Sequence, residues 1–223
     1  MATTPIPLPP PPPPPGPSPY PVRFDVDYPD RPLDRVSTAF RIFVVIPIAI
    51  VLGTVSGAYY SWTYENATTV VAGAGGLLFA GPLLMILFRR KYPRWWFDWN
   101  LALLRFSNRV SVYLSLLRDE YPATDQEQAV HLEIPYPNVE TELNRFLPLV
   151  KWFLAIPHYI VLAFLVIGEV FAIIAAWFAI LFTGRYPRGL FDFVVGVHRW
   201  GNRVAAYALI LTTDVYPPFR LRD

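Results

Sequence analysis

The chain has 223 residues, with 19 Lys and Arg against 17 Asp and Glu for a formal net charge of +2; 54% of its residues are hydrophobic and 16% aromatic. Its mean hydropathy of +0.34 lies beyond that of an ordinary soluble domain and places it among membrane proteins. Cysteine is absent, which excludes a disulfide framework, a thiolate metal site and a cysteine nucleophile. The basic residues gather at the ends of apolar runs rather than along one surface, so no nucleic-acid partner is expected.

Residues 1–21 hold twelve of the 25 prolines, seven of them consecutive from Pro9 to Pro15. Proline has no amide donor and a fixed φ, so this tail predicts an extended, solvated segment. It lacks the basic and apolar regions of a signal peptide. A solvated spacer is expected in preference to a ligand for an aromatic groove.

Residues 22–123 read as a first membrane unit. Val22, Phe24, Val26 and Tyr28 alternate with Arg23, Asp25 and Asp27, the period of a half-buried strand. Ile42–Tyr64 and Asn66–Phe88 are each 23 residues without a charge, separated by Glu65, and each is long enough to cross a hydrocarbon core of about 30 Å. Crossings are expected at about 40–62 and 68–88. Ala49, Gly53 and Gly57 in the first, and Ala72, Gly76 and Ala80 in the second, would let the two backbones approach closely, with Pro47 and Pro82 as kink points. KYPRWWFDWNLALLRFSNRVSVY, at 91–113, predicts an interfacial amphipathic helix over about 95–117, anchored by Trp95, Trp96, Phe97 and Trp99.

A linker at 124–129 leads to a second unit at 130–219. VHLEIPYP, at 130–137, repeats the alternation through Val130, Leu132, Ile134 and Tyr136, and Pro135 confines this strand to an edge. From Trp152 to Gly184 the only charge is Glu169, leaving uncharged runs of 17 and 15 residues. This is one long helix or two short ones. If the two units share an orientation it is a hairpin, crossing at about 148–167 and 170–184, turning at Gly168 and Glu169, and followed by an interfacial helix over about 190–212. Arg35, Arg41, Arg89, Arg90, Lys91 and Arg94, and then Arg145, Lys151, Arg185 and Arg188, flank the open ends, which places those ends and both termini in the cytoplasm. Three crossings would instead send Arg185, Arg188, Arg199 and Arg203 outside. The expected fold is a mainly α integral membrane protein: a tandem repeat of two transmembrane hairpins (four crossings), with cytoplasmic interfacial amphipathic helices and a pair of short β-strands.

On the interfacial helices Asp98, Arg105 and Arg109 share one face, and Asp192, Arg199 and Arg203 repeat the spacing. Two turns separate each aspartate from the arginines of its own helix. Crosswise pairing is therefore expected, Asp98 with Arg199 or Arg203 and Asp192 with Arg105 or Arg109; the alternative use of these arginines is to hold anionic lipid headgroups. His158 and Glu169 are the polar positions within apolar stretches. His158 reads either as a proton or ligand site or as a neutral histidine bonded between helices, and Glu169 either as an ion-pathway carboxylate or as a hydrated turn. The chain carries no phosphate loop, HExxH or GxSxG, and no histidines at metal-ligand spacing. No catalytic residue, metal or cofactor is expected, and no enzymatic activity.

The RYPR, FDF, NRV and YPPF motifs, with AIPHYIV ahead of them, resemble the bacterial membrane-protein family catalogued as domain of unknown function 4389, in two tandem copies over residues 22–219. The first copy departs from the pattern, with WWFDWN for GLFDFV and about sixteen more residues between its IP and YP landmarks. The resemblance implies a bacterial inner-membrane location and a multi-spanning fold, and brings no activity with it. The leading functional expectation is a non-catalytic accessory or scaffold subunit of a membrane or envelope complex, whose partners are membrane lipids and either a membrane protein or further copies of itself. A small lipid or solute transporter working as an oligomer ranks second, and an interfacial enzyme acting on lipid third.

Overall fold

The computed structural model describes residues 20–56, 81–124, 126 and 128–222. The polyproline run, most of the crossing expected at 68–88, and Gly57, Ala72, Gly76 and Ala80 lie outside the described residues. Nine elements follow in chain order. They are β1 (Arg23–Val26), α1 (Arg35–Val44), α2 (Ile46–Ser56), a π-helical turn (Met85–Arg89), α3 (Arg94–Leu114), β2 (Val130–Glu133), α4 (Pro148–Leu154), α5 (Ile156–Thr183) and α6 (Arg188–Ala208).

The two alternating segments pair with each other: β1 and β2 are antiparallel, with Phe24 opposite Leu132. Their period of two decides which side is buried. Val22, Phe24, Val26, Leu132 and Ile134 face inward, while Arg23, Asp25, Asp27, His131 and Glu133 are exposed on the outer face. Beneath the sheet lie α3 and α6, β2 resting on α3 and β1 on α6. Each strand therefore covers the helix of the opposite half of the chain. Under α3 packs α2, and under α6 pack α4 and α5.

Prolines set the joints of this lower layer. Pro47 cannot donate to the carbonyl four residues back, and its ring crowds that turn, so the helix breaks at Val45 between α1 and α2. Pro157 has the same effect at Ala155, between α4 and α5. Val45 and Ala155 are both buried on the inside of their bends.

The long helix α5 returns into α6 through Gly184, a left-handed cap at φ 73° whose N–H donates to Ile180 O at 2.7 Å. The two then run antiparallel. Ala172, Ala176 and Ile180, a stripe repeating every four residues, are buried in one cluster with Phe191, Val194 and Val195. At the far end Ala155 packs with Trp200 and Val204. Among the described residues the opposite face of α5 has no such cover: Phe164, Ile167, Phe171, Ile174, Phe178 and Phe182 are all exposed.

Among the described residues two helices are long and apolar enough to cross a membrane, Arg35–Thr54 (taken through the bend at Val45) and Ile156–Thr183. Four crossings are not supported. The hairpin expected at 148–167 and 170–184 is instead the short α4 followed by the single 28-residue helix α5. Gly168 and Glu169 sit in its middle because nothing there breaks a helix. Gly168 faces the Phe193 ring, which stands 3.4 Å from where a Cβ would be, and the Glu169 carboxylate meets His198. The helices expected over 95–117 and 190–212 form as α3 and α6, in the middle layer of the molecule.

Candidate functional site

The polar groups of α3 and α6 form matching sets. Arg105 Nε donates to Leu132 O at 3.1 Å, and Arg199 Nε donates to Phe24 O at 2.8 Å; those two carbonyls belong to residues facing each other across the sheet. Arg109 Nη1 reaches Ala123 O at 2.8 Å, and Arg203 Nη1 reaches the carbonyls of Arg220 and Arg222, both at 3.3 Å. Between the helices Asn108 and Asn202 exchange amide hydrogen bonds of 2.8 and 2.7 Å, and each also donates to its own helix one turn back. A buried amide pair satisfied on both sides fixes how α3 and α6 cross.

The aspartates are placed differently from the expected crosswise pairing. Asp98 pairs with Arg94 at 3.2 Å and Asp192 with Arg188 at 3.3 Å, each within its own helix at i,i+4 and on the surface. One turn is the natural reach for such a pair, and the motif arginine preceding each aspartate supplies the partner. Arg94 also lies over Tyr136 at 4.7 Å and Arg188 over Tyr28 at 4.4 Å. The two tyrosine hydroxyls donate to Tyr92 O and Tyr186 O respectively, so each strand is pinned to the opposite half at this end too. Arg199 adds an ion pair to Asp25 at 3.0 Å.

A second matched set was read in the sequence only as flanking positive charge. Arg41 and Lys151 are fully buried. Lys151 Nζ pairs with Asp214 at 2.7 Å, donates to Thr213 O at 2.8 Å and stands 5.1 Å from the centre of the Tyr207 ring. Arg41 pairs with Asp119, donates to Arg118 O and to Tyr113 O at 3.2 Å, and lies 4.3 Å over the Tyr113 ring. Asp119 and Asp214 each accept in addition a backbone N–H, from Asp34, the N-cap of α1, and from Asn144, ahead of α4. One carbonyl at each site, Arg118 O for Arg41 and Thr213 O for Lys151, lies two residues after a buried leucine held at positive φ, Leu116 at 63° and Leu211 at 58°. A left-handed leucine costs about 1–2 kcal/mol, and here it turns the chain so that the next carbonyls face the cation. Burial pushes the Lys151 pKa down, with Asp214 opposing. The signal available in the sequence was the alignment of FRIFVVIP with VKWFLAIP, and of RDEYP with TDVYP.

His158 is fully buried, and its Nδ1 accepts a hydrogen bond from Trp200 Nε1 at 3.1 Å. The Phe219 ring stacks on it at 4.1 Å. Its Nδ1 side bridges α5 and α6, while Nε2 is buried with no hydrogen-bond partner among the described residues. Glu169 is inside α5 rather than at a turn, with Oε1 2.7 Å from His198 Nε2, and Ser115 Oγ lies 3.4 Å from that same nitrogen. His131 pairs with Asp27 on the exposed face of the sheet. Among the described residues no group of three or more His, Cys, Asp or Glu is placed to hold a metal ion.

Residues 148–220 match a family model described as a domain of unknown function (DUF4389). The matched stretch runs from α4 through α6 and covers the Lys151, His158 and Arg203 sites. No curated protein and no solved structure matches the chain.

Proposed function

We propose that the chain is a non-catalytic scaffold seated in the cytoplasmic face of a bacterial inner membrane, built from two copies of one module and presenting its sheet side to a protein partner. The observation that carries this reading is the opposition of two faces. The outer side of α5 exposes six large apolar side chains in line, while the outer side of the sheet exposes only charged residues and histidine. The first suits hydrocarbon and the second water.

The same opposition sets the orientation. Because α6 lies along nearly the whole of α5, an upright α5 would carry Asp192, Arg188 and the Arg199–Asp25 pair across the bilayer, at several kcal/mol per charge. We infer that α5 lies along the membrane surface with its exposed stripe in the acyl region. Arg35, Arg145 and Arg185 sit at the ends of the apolar helices, where they favour an anionic cytoplasmic leaflet. Arg105 and Arg199 of the repeated motif are engaged with backbone carbonyls of the opposite half, and Arg109 and Arg203 with carbonyls that follow their own helices, an architectural use that supports a scaffold over a headgroup site.

The absence of cysteine makes orientation testable with single cysteines. With Ile160→Cys and Phe182→Cys, near the two ends of α5, a membrane-impermeant maleimide should fail to label either position from the outer side of spheroplasts. Labelling of one end from outside establishes a crossing instead. For the scaffold, native mass spectrometry after gentle extraction from the host membrane should show a stoichiometric protein partner; only the monomer with lipid adducts overturns that part.

A further inference from the structure

Between α3, α5 and α6 the packing leaves an open groove of about 500 Å³, within the size range of small-molecule sites. Most of its wall is apolar, including Leu104, Leu114, Leu162, Val166, Val170 and Ile173. Leu114, Val166 and Val170 are also among the exposed hydrophobic residues, so the mouth opens on the apolar side of the molecule. One wall is different. Ser107, Ser111 and Ser115 line it at four-residue spacing, opposite the Glu169–His198 pair.

These polar groups are incompletely used. A serine within a helix commonly bonds the carbonyl one turn back, yet the Ser107 and Ser111 hydroxyls make no hydrogen bond among the described residues. Glu169 contacts His198 through one oxygen and leaves the other without a partner among the described residues. The set is not a hydrolytic relay. In such a relay the acid and the serine meet opposite nitrogens of the histidine, whereas here Glu169 and Ser115 both approach Nε2. The chemistry is that of binding.

We propose that this groove holds an uncharged amphiphile with one apolar chain and a hydroxyl-bearing head, of the monoacylglycerol or fatty-alcohol class, entering sideways from the bilayer. The chain fills the space between Leu104, Leu162 and Ile173. The head donates to the free Glu169 oxygen and exchanges hydrogen bonds with Ser107 and Ser111. A carboxylate or phosphate head is disfavoured beside the Glu169 carboxylate, where it would lose water and meet like charge.

This inference rests on the membrane seating proposed above, and the test separates the two. The full chain is placed in phosphatidylcholine nanodiscs and labelled with a diazirine-bearing monoacylglycerol, with crosslinks located by mass spectrometry. Labels should fall on residues 107–115 and 166–170. Unlabelled monooleoylglycerol should compete, and oleate should be at least about tenfold weaker, the ratio for one well-placed polar contact. Ser111→Leu puts a bulky apolar side chain where the head would bind and should abolish labelling. Ser107→Ala with Ser111→Ala removes two hydroxyls that no group among the described residues uses, so the fold is kept, and labelling should weaken several-fold. Labelling that persists in Ser111→Leu, equal competition by oleate, or stronger competition by oleylamine overturns the proposal. A chain that does not enter nanodiscs overturns the membrane seating and this inference with it; an incorporated chain without localised label overturns this inference alone.

Discussion

Arg41 and Lys151 occupy the same position in the two halves of the molecule, six residues before a helix-bending proline. Both are enclosed by a carboxylate, a tyrosine face and a backbone carbonyl that follows a left-handed leucine. They differ in how much they hold. The Arg41 guanidinium reaches two carbonyls, the Ser37 hydroxyl and Asp119, while the Lys151 ammonium reaches one carbonyl and Asp214. A planar fork ties several strands of chain together; a point charge ties fewer, and it can surrender its proton when buried. The first half has the stronger tie.

The largest expected effect is therefore Arg41→Met. It leaves Asp119 and two carbonyls without their cation and should cost about 3–5 kcal/mol, read as the loss of denaturation midpoint in detergent. Lys151→Met should cost less, about 2–3 kcal/mol on the same scale; equal losses would remove the distinction between the two sites. Next comes Asn108→Leu, which strands the Asn202 amide and should cost about 1–3 kcal/mol. Adding Asn202→Leu should recover part of that loss, because both polar groups are then gone, whereas additive losses would show that the amide pair is not a coupled unit.

The two sites should also separate by pH. The Lys151 pKa is depressed by burial, so in the alkaline range below 10.5, its ordinary value, the unfolded chain holds a proton that the folded chain has begun to release. Folding stability then rises with pH across that window. The stability of the natural chain relative to Lys151→Met should increase from neutral pH towards pH 10, and a flat difference would show that Lys151 keeps its proton. The smallest effect belongs to the surface pairs. Asp98→Ala or Asp192→Ala should change stability by no more than about 0.5 kcal/mol, and a larger loss would restore the aspartates to a role between the halves.

Much of the architecture was legible as pattern. The alternation at Val22–Tyr28 and Val130–Tyr136 predicted two short strands that pair, because a period of two has one physical meaning when one face is buried. The apolar runs predicted membrane affinity. What the sequence pattern missed were the partners of single charged residues. Glu169 was read as a turn because a carboxylate inside an apolar run is costly, but the cost is met by His198, which lies 29 residues away in the chain and has no mark in the local sequence. Arg41 and Lys151 were read as cytoplasmic flanks because a cation beside a hydrophobic run usually reaches for water. Only the carbonyls and carboxylates beyond residues 113 and 207 show that each is an internal tie. The reach of Asp98 was misjudged in the opposite sense, since Arg94, one turn away, was the simpler partner.

The exchanged strands also govern when this protein can become complete. β1 emerges from the ribosome early, but the helix it covers is α6, and Tyr20 donates a hydrogen bond to Val215 O at 3.1 Å. Until α6 is synthesised, Val22, Phe24 and Val26 lack their proper cover. The nascent chain must keep an apolar strand from straying while residues 27–187 follow it, and a product truncated before α6 would expose that strand as a mark for degradation.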